Sequence, residues 1–314
     1  MTPTVSIVMP VYNGERYLQS AIESVLGQTF IDFECLIIND GSTDASETIV
    51  RSFSDPRIHY TKQENKGLTQ TLNDALSRCK GTFLARMDQD DISEPERIQK
   101  QVHFMNQHPE IGVLGTTVYI MDEKGAIARG NPSLLNDPEL QVQLLYQTPF
   151  SHGSVMIRHA LLLKMPPPYY QPSAGNAEDY GFWSRLASVT KLANLPEPLY
   201  GWRDNPTGMS NSGFVRQREF ANKVRVQNLT SPHFQQQLLN FLPNMRQYAN
   251  ERLTIHGVAL RYNRKDNYSY LLFRLGKLLW GQGYRTKSLR MLTKILFDNP
   301  KYFARALVSP RDGQ

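Results

Sequence analysis

The sequence predicts an α/β fold in which a mostly parallel sheet is flanked by helices and followed by a helical C-terminal extension. Over the first 120 residues, short β-rich runs alternate with stretches whose apolar residues recur at helical spacing. The run at 33–39 is almost continuously apolar, as expected of a strand buried on both faces. Strands that alternate with helices of about 10–15 residues are typical of a parallel sheet covered by helices.

Each predicted element has its own local signal. Val5–Val11 is a β-rich run, and the apolar residues at 17–26 recur at helical spacing, with Asn13 as the expected N-cap. The strand at 33–39 ends in the turn cluster at 40–44, which opens the next helix. The other predicted elements are helices at 45–53, 68–79 and 95–108 and strands at 57–62, 82–87 and Ile111–Met121. Pro and Gly are frequent at 130–210, which predicts irregular loops and short helices that cover the sheet edge.

Charge is distributed very unevenly along the 314 residues. Residues 1–214 contain 17 Lys and Arg against 24 Asp and Glu, whereas residues 215–314 contain 18 against 5, which gives balances of −7 and +13. An acidic body with a basic tail indicates an anionic partner for the tail. Two cysteines exclude a disulfide framework and a four-cysteine zinc site. With no secretory signal and no run of about 20 apolar residues, we expect a cytoplasmic protein.

Polar clusters follow three of the predicted strands, at 10–15, 39–44 and 88–91. In sheets of this kind, ligands bind beyond the carboxyl ends of the strands. Asp88 and Asp90 stand at i and i+2 in such a turn, where their oxygens suit Mg²⁺ or Mn²⁺ bound with a nucleotide diphosphate. The alternative is an acidic turn that caps the helix beginning near Pro95. For the cluster at 40–44, the alternative is helix capping by Ser42 or Thr43.

Several common catalytic signatures are absent from the sequence. It contains no G-x-G-x-x-G and no G-x-x-x-x-G-K-[ST], so neither a Rossmann dinucleotide site nor a P-loop is indicated. It also contains no G-x-S-x-G and no H-E-x-x-H, which excludes the common hydrolase elbow and the zincins.

Several motifs in order resemble the family 2 inverting glycosyltransferases of GT-A fold. They are VSIVMPVYNG at 5–14, INDGSTD at 38–44, RMDQDD at 86–91, PFSHGSVM at 149–156, EDYGFWSRL at 178–186 and WR at 202–203. The resemblance covers about residues 4–210 and is to the bacterial polysaccharide-biosynthesis type. It implies a catalytic domain at 1–214, with a nucleotide-sugar half at about 1–121 and an acceptor half at about 122–214. Residues 215–314 are expected to form a basic helical C-terminal region.

The resemblance also implies roles for individual residues. The residues expected to bind the donor are Pro10, Tyr12, Asn13, Glu15, Asp40, Asn73, Arg86 and Asp88. Those expected on the acceptor side are His152, Glu178 and Arg203. Asp88 and Asp90 would hold Mn²⁺ or Mg²⁺, and Asp179 would be the catalytic base. The alternative for Glu178 and Asp179 is favourable charge at the N-terminus of a helix predicted at 180–192.

The implied reaction transfers a sugar from a nucleotide sugar, expected to be a UDP-sugar, to a saccharide or lipid-linked acceptor. A divalent cation neutralises the leaving diphosphate, and a base activates the acceptor hydroxyl on the opposite face of the sugar. A single displacement inverts the anomeric centre. Two alternatives remain open at this point: a nucleotidyltransferase on a similar sheet, and a non-catalytic scaffold that binds nucleotides.

Two departures from the family pattern concern the site. The stretch PPPYY at 166–170 replaces the Gly-Gly-Tyr that relatives often have before the Glu-Asp pair, so the acceptor loop is expected to have a different shape. Asn205 stands where relatives often have a histidine, which argues against a third protein ligand to the metal. Trp183 and Trp202 are expected to be core residues or sugar-stacking residues.

The family resemblance implies least about the basic C-terminal region, because the matching motifs lie before it. A helix at 270–280 mixes Leu, Phe and Trp with Arg274 and Lys277, which fits either packing on the domain or peripheral contact with the anionic inner face of the cell membrane. A lipid-linked acceptor would favour the membrane. No nucleic-acid-binding motif accompanies the charge, so nucleic acid is not expected as a partner.

Overall fold

The computed structural model describes residues 2–131, 135–206, 208, 214–241, 251–255 and 258–262. The strands are β1 (Val5–Val11), β2 (Phe33–Asp40), β3 (Ile58–Gln63), β4 (Phe83–Arg86), β5 (Ile92–Ser93), β6 (Ile111–Met121), β7 (Ile127–Asn131), β8 (Met156–Arg158), β9 (Lys191–Arg203), β10 (Glu251–Ile255) and β11 (Val258–Tyr262). The helices are α1 (Leu18–Leu26), α2 (Ser46–Arg51), α3 (Leu68–Leu76), α4 (Arg97–Gln107), α5 (Asp137–Gln143), α6 (Glu178–Ala187), α7 (Phe214–Thr230) and α8 (Pro232–Phe241).

The predicted α/β fold with a sheet flanked by helices is confirmed. Within the described residues, the main sheet has the order β3-β2-β1-β4-β8-β6-β9-β5, and β7 pairs with β6. The first four strands in this order are parallel, and so are β6 and β9. β8 joins the two parallel parts by antiparallel pairing with β4 and β6. The sheet therefore contains two parallel parts joined by one short antiparallel strand, and β5 and β7 pair antiparallel with β9 and β6.

Both faces of the sheet are buried, as the apolar runs predicted. On β1, Ile7 and Met9 pack in one core layer, which also contains Ile22 of α1. Val8 points into the opposite layer, with Leu72 of α3. Because side chains alternate across a strand, a continuously apolar β1 serves both layers at once.

The structure confirms the short helices expected at 130–210, since α5 and α6 lie there, but corrects the expectation that the remainder is irregular loop covering the sheet edge. This stretch contains β8, which lies inside the sheet, and β9, which is the longest strand described. β9 carries Pro196 and Pro198, and its pairing with β6 shifts register around Thr116 and Thr117. Proline lacks an N–H donor and is tolerated in a strand mainly at such irregularities. These prolines therefore made the strand look like a loop in the sequence.

The start of the C-terminal region packs on the acceptor half. Val224 of α7 and Phe234 of α8 are buried in the same core layer as Trp183. Asn228 Nδ2 donates to the Leu144 carbonyl at 2.6 Å. β10 and β11 form an antiparallel pair where the sequence predicted helix. None of the helices among the described residues is long and apolar enough to cross a membrane. The helix predicted at 270–280 lies outside the described residues.

Candidate active site

Two polar residues after β1 bind the turn after β2, as expected of neighbouring carboxyl ends. Asn13 Oδ1 accepts a hydrogen bond from the Thr43 backbone N at 2.9 Å, and the Asn13 backbone N donates to Ser42 Oγ at 3.0 Å. Glu15 Oε2 accepts from the Ala45 backbone N at 2.9 Å. Asn13 has φ +48°, a left-handed conformation that asparagine adopts more readily than most residues. The expectation that it caps α1 is wrong, because that helix begins only at Leu18 and Asn13 bonds the β2 turn instead.

The next two donor-binding candidates occupy the end of β1. Pro10 is buried within the strand, and the side chain of Tyr12 is half exposed. The amide of Gln89 holds the Tyr12 backbone at two points, with Tyr12 N donating to Oε1 at 2.8 Å and Nε2 donating to the Tyr12 carbonyl at 3.0 Å. Gln89 separates the two carboxylates of the predicted metal motif. It therefore fixes that motif against β1.

Asp40 is 3% exposed and organises the connection between β3 and α3. Its carboxylate accepts hydrogen bonds from Gln63 Nε2 at 2.8 Å, from the Lys66 backbone N at 2.9 Å and from the Gly67 backbone N at 2.9 Å. A carboxylate offers about four acceptor positions, so most of this capacity is used within the protein. The predicted contact with the nucleobase would have to use the acceptor capacity of the Asp40 carboxylate that these three hydrogen bonds leave.

The acidic motif after β4 is held by the buried Arg86 and the partly buried Asn205. Arg86 is 5% exposed and donates to Asp88 Oδ1 at 2.6 Å. Asn205 Nδ2 donates to Asp90 Oδ2 at 3.0 Å. Burial raises the pKa of Asp90 above its usual value, and the charge of Asp88 raises it further. The interpretation of this motif as the cap of the next helix is wrong, because α4 begins at Arg97 and its N-cap is Glu96.

A divalent cation fits this donor set. Asp88 and Asp90 supply hard carboxylate oxygens, and the repulsion that raises the pKa of Asp90 is what a bound cation relieves. Across the described ranges, no three His, Cys, Asp or Glu side chains are grouped to hold a metal ion. Mg²⁺ is often bound by one or two carboxylates and completed by substrate phosphates and water. A site of two carboxylates is therefore sufficient when a diphosphate supplies the remaining oxygens.

Arg203 supports the acidic motif from behind. Its Nε donates to the Asp90 carbonyl at 2.8 Å, and its backbone N donates to Asp91 Oδ1 at 2.8 Å. Its guanidinium also lies 4.6 Å from the ring centre of Tyr17. Arg203 is 6% exposed, and it donates hydrogen bonds to the backbone carbonyls of Asp90, Asp122 and Glu123 and to the Asp91 carboxylate. These contacts place Arg203 beneath the metal motif, and the structure leaves its predicted contact with the acceptor untested.

Glu178 and Asp179 occupy the first turn of α6. Burial and the charge of Asp179 raise the pKa of Glu178 to about 8. Burial raises the pKa of Asp179 to about 6, and the charge of Asp88 contributes to the rise. A helix N-terminus favours an anion, so burial outweighs the helix dipole here. The charge of Asp88 contributes to the raised pKa of both carboxyls, so the acidic motif after β4 and the pair at the start of α6 lie near each other.

His152 lies in the short helical turn His152–Ser154, beside the acceptor loop. Its Nε2 is 2.9 Å from the Tyr170 hydroxyl, and its ring meets Trp183 edge-on at 5.7 Å between centroids. Trp183 is fully buried, which favours the core interpretation of this residue. Asn73 donates from Nδ2 to the Tyr170 carbonyl at 2.8 Å and accepts from the Tyr170 N at 2.9 Å. Asn73 thus ties α3 to the acceptor loop.

Arg97 is a buried residue that the sequence analysis did not identify. It is fully buried and donates to the Gly153 carbonyl at 2.8 Å and to the Arg86 carbonyl at 2.9 Å. Its guanidinium lies 5.2 Å from the ring centre of Tyr200, whose hydroxyl accepts from the Asp88 backbone N at 3.2 Å. Burial lowers the pKa of Arg97 to about 10, so the group stays charged. It supports the backbone on both sides of the acidic motif.

One sequence signal could have identified Arg97. Positions 97, 101 and 105 lie on one face of α4, and all three are buried. Two of them are polar, Arg97 and Gln101, in a stripe that is otherwise apolar. Polar residues at core-facing positions require hydrogen-bond partners, and here the partners are main-chain carbonyls of the site.

Gly153 allows the acceptor-side turn to approach the acidic motif closely. A Cβ at this position would lie 1.8 Å from the Tyr200 hydroxyl oxygen and 2.6 Å from Asp88 Oδ2. No side chain fits in this space, so glycine is required by the contact between the two halves. The position also shows how near the His152 turn lies to Asp88.

Relatives of known family match most of the chain. Residues 6–164 match the model of glycosyl transferase family 2. An uncharacterized glycosyltransferase of Haemophilus influenzae is 32% identical over 247 residues, 73% of this chain and 74% of that protein. EpsE of Bacillus subtilis, also named as a glycosyltransferase, is 33% identical over 68% of this chain and 77% of its own. The O-antigen biosynthesis glycosyltransferase WbnJ of Escherichia coli is 29% identical over 72% and 92%.

Solved structures with a similar fold include two complexes with nucleotide sugars. TarS of S. aureus, solved with UDP-GlcNAc, aligns at a TM-score of 0.61 and 19% identity over 96% of this chain and 91% of its own. The mannosyltransferase PcManGT of Pyrobaculum calidifontis, solved with GDP-Man and Mn²⁺, aligns at 0.53 and 15% over 98% and 87%. At sequence identities of 19% and 15%, the structural similarity establishes the fold alone. Because the family model covers half of the chain and the relative from H. influenzae aligns with 73% of it, the chain is a glycosyltransferase and belongs to glycosyltransferase family 2.

Proposed function

We propose that this protein transfers a sugar from a UDP-sugar to a hydroxyl of a saccharide or lipid-linked acceptor in cell-surface polysaccharide biosynthesis, with inversion at the anomeric carbon. The observation that carries the proposal is the pairing of two acidic motifs across one cleft. Asp88 and Asp90 follow β4, and Asp179 lies in the first turn of α6, yet in addition to burial the charge of Asp88 raises the pKa of Asp179. One motif suits a diphosphate with its cation, and the other suits an incoming hydroxyl.

On the donor side, the side chains after β1, β2 and β4 form the nucleotide-sugar pocket. Arg86 neutralises part of the charge of Asp88 and lies where it can also meet the diphosphate. Asp88 and Asp90 would hold Mn²⁺ or Mg²⁺, which when bound would offset the charge that develops on the departing nucleotide diphosphate. Buried Arg97 and Arg203 keep the backbone of this motif in position, so that the two carboxylates are preorganised.

On the acceptor side, Asp179 is the general base. With a pKa of about 6, it is ionised at neutral pH yet basic enough to accept the proton of the acceptor hydroxyl as the new bond forms. The hydroxyl oxygen attacks the anomeric carbon, the bond to the diphosphate oxygen breaks, and the proton passes to Asp179. Glu178 remains protonated beside it and adds no second negative charge to the cleft. Base catalysis of this kind contributes about 10²–10⁴-fold.

The relatives support the donor class and the biological setting. TarS was solved with UDP-GlcNAc, and PcManGT with GDP-Man and Mn²⁺, so nucleotide sugars bind proteins of this fold. WbnJ is named for O-antigen biosynthesis. These names describe those proteins, and for this chain they favour a nucleotide-sugar donor and a polysaccharide product.

A donor screen tests the proposal. The protein is incubated with Mn²⁺ and, separately, UDP-, GDP- and dTDP-sugars, with lipid-linked and oligosaccharide acceptors, and release of each nucleotide is measured. We expect UDP from a UDP-sugar, and we expect it to be lost in Asp90→Asn and Asp179→Asn. Release from GDP- or dTDP-sugars alone would overturn the choice of donor. Pyrophosphate release from a nucleoside triphosphate, or UDP binding without any transfer, would overturn the reaction itself.

We further propose that the basic region at 215–314 holds the protein at an anionic membrane surface. Its balance of +13 supports this, since each Lys or Arg near such a surface contributes about 1 kcal/mol. Sedimentation with vesicles of phosphatidylglycerol should therefore remove the protein from solution at low salt and release it at high salt. Equal sedimentation with neutral phosphatidylcholine vesicles would contradict the proposal.

A further inference from the structure

The hydrogen bond between His152 and Tyr170 distinguishes the two ring nitrogens of His152. Tyr170 is 2% exposed, and its hydroxyl lies 2.9 Å from His152 Nε2. His152 itself is only partly buried, and Nδ1 has no hydrogen-bond partner in the part of the chain that the structure describes. The two ring nitrogens therefore have different environments: one is bonded to a buried phenol and the other is left for a ligand.

The phenol has to be the donor in this hydrogen bond. If His152 Nε2 carried the proton, the Tyr170 hydroxyl would only accept, and its own O–H would be buried with no acceptor among the described residues. Burying an unsatisfied polar group costs about 1–3 kcal/mol. If Tyr170 donates to Nε2, both groups are satisfied and the single imidazole proton stands on Nδ1.

The surroundings keep the imidazole neutral and the phenol in place. Burial and the nearby Arg86 charge lower the pKa of His152 well below its usual value, so one ring nitrogen lacks a proton at neutral pH. Asn73 holds the Tyr170 backbone by two hydrogen bonds. The Tyr170 ring also packs against Phe182, with 4.5 Å between centroids. The phenol can therefore neither rotate away nor find another partner.

We propose that Tyr170 is a positioning residue that fixes His152 as the Nδ1–H tautomer, so that His152 donates a hydrogen bond from Nδ1 to a sugar hydroxyl in the cleft. This inference rests on the proposed function for the identity of the ligand. The hydroxyl belongs to the acceptor saccharide or to the sugar of the donor, and both sources present the same chemistry. The next residue, Gly153, brings this turn close to Asp88, since a Cβ there would lie 2.6 Å from Asp88 Oδ2. Burial and the charges of Asp179 and Asp88 raise the pKa of the Tyr170 phenol that His152 contacts, so the pair lies near both acidic motifs, where the two sugars would meet.

The tautomer can be measured on the full chain without any substrate. In protein labelled with ¹⁵N-histidine, two-bond ¹H–¹⁵N correlations at neutral pH show which ring nitrogen of each histidine is protonated, and the signals of His152 are identified by their loss in His152→Ala. We expect Nδ1 to be protonated in the wild type and the proton to shift toward Nε2 in Tyr170→Phe. Tyr169→Phe is the matched control and should resemble the wild type. An Nε2–H tautomer in the wild type, or no change in Tyr170→Phe, would overturn the proposal.

Binding and transfer measurements identify the source of the hydroxyl. His152→Ala is titrated with UDP and with UDP-GlcNAc, and its transfer KM is compared with that of the wild type. If His152→Ala binds UDP-GlcNAc more weakly but UDP equally well, the hydroxyl belongs to the donor sugar. If only the KM for the acceptor rises, the hydroxyl belongs to the acceptor. We expect Tyr170→Phe to lower kcat/KM about tenfold, as for the loss of one oriented hydrogen bond. His152→Asn, which can place an N–H near Nδ1, should recover more activity than His152→Ala.

Two outcomes separate this inference from the proposed function. If no sugar is transferred from any donor, the proposed function fails while the tautomer is still decided by the spectra. If transfer occurs and His152→Ala changes neither binding nor either KM, the glycosyltransferase stands and the role of His152 is refuted.

Discussion

Replacing Asp179 with Asn should abolish the base and at the same time stabilise the fold. The folded protein raises the pKa of this carboxyl from 3.8 to about 6, which corresponds to roughly 3 kcal/mol against the ionised form. Because the folded state binds the proton more tightly than the unfolded state, this destabilisation is absent below about pH 4, grows between pH 4 and 6 and is complete above. Asn keeps an oxygen for the Tyr180 backbone N, which donates to Asp179 Oδ1 at 2.6 Å, but it carries no charge.

The Asp179→Asn prediction is checked by two measurements, one of activity and one of stability. We expect kcat to fall by about 10²–10⁴-fold. By urea unfolding, we expect the variant to gain roughly 1 kcal/mol at about pH 4.5 and roughly 3 kcal/mol at about pH 7.5. In the wild type, kcat/KM should rise with pH to a plateau above about pH 6, because the base must be ionised. Asp137→Asn is the control, since burial also raises the pKa of Asp137 but its carboxylate bonds the Leu192 backbone N.

The reasoning about Asp179 would be refuted by transfer that persists in Asp179→Asn. A stability difference that does not change between the two pH values would also contradict this prediction, because folding would then not raise the pKa of Asp179. Equal loss of activity in Asp137→Asn would show that the assay reports general damage to the fold.

Three further predictions concern the acidic motif and its support. Asp90→Asn should remove the increase in Tm that Mn²⁺ produces in the presence of UDP, and an unchanged increase would exclude Asp90 as a ligand. Gly153→Ala should lower kcat by at least about tenfold, because its methyl group would lie 1.8 Å from the Tyr200 hydroxyl oxygen; Gly27→Ala, whose nearest contact is 3.2 Å, should stay active. Arg97→Lys should lower the free energy of unfolding by about 1–3 kcal/mol, since one ammonium cannot serve both carbonyls in the geometry of the guanidinium fork. Unchanged urea unfolding of this variant would contradict the support role.

Local signals were sufficient to predict the longer strands within residues 1–121, although not the two-residue strand β5. Val5–Val11 and Ile111–Met121 have the predicted bounds, because a continuous apolar run bounded by turn residues needs little tertiary information. β8 could not be predicted in this way. It has three residues, and it is a strand only because β4 and β6 flank it. Pairing across such distances in sequence leaves no local period to detect.

In the candidate site, too, some residues could be predicted from local sequence signals and others depend on contacts between distant parts of the chain. The carboxylates at 88, 90 and 179 stood out in the sequence because they form motifs at the ends of predicted elements. The residues that hold these carboxylates in place did not stand out in the sequence. Arg97 binds the carbonyl of Gly153, and Asn73 binds Tyr170 from 97 positions away. Asn73 was expected at the donor, and in the structure both of its amide atoms are bonded within the protein.

The configuration of the released sugar tests the central claim most directly. During slow hydrolysis of an α-linked UDP-sugar with Mn²⁺, ¹H NMR recorded before mutarotation shows which anomer forms first. A single displacement by water activated at Asp179 predicts the β-anomer, and no release in Asp179→Asn. First appearance of the α-anomer would contradict a single displacement in this cleft.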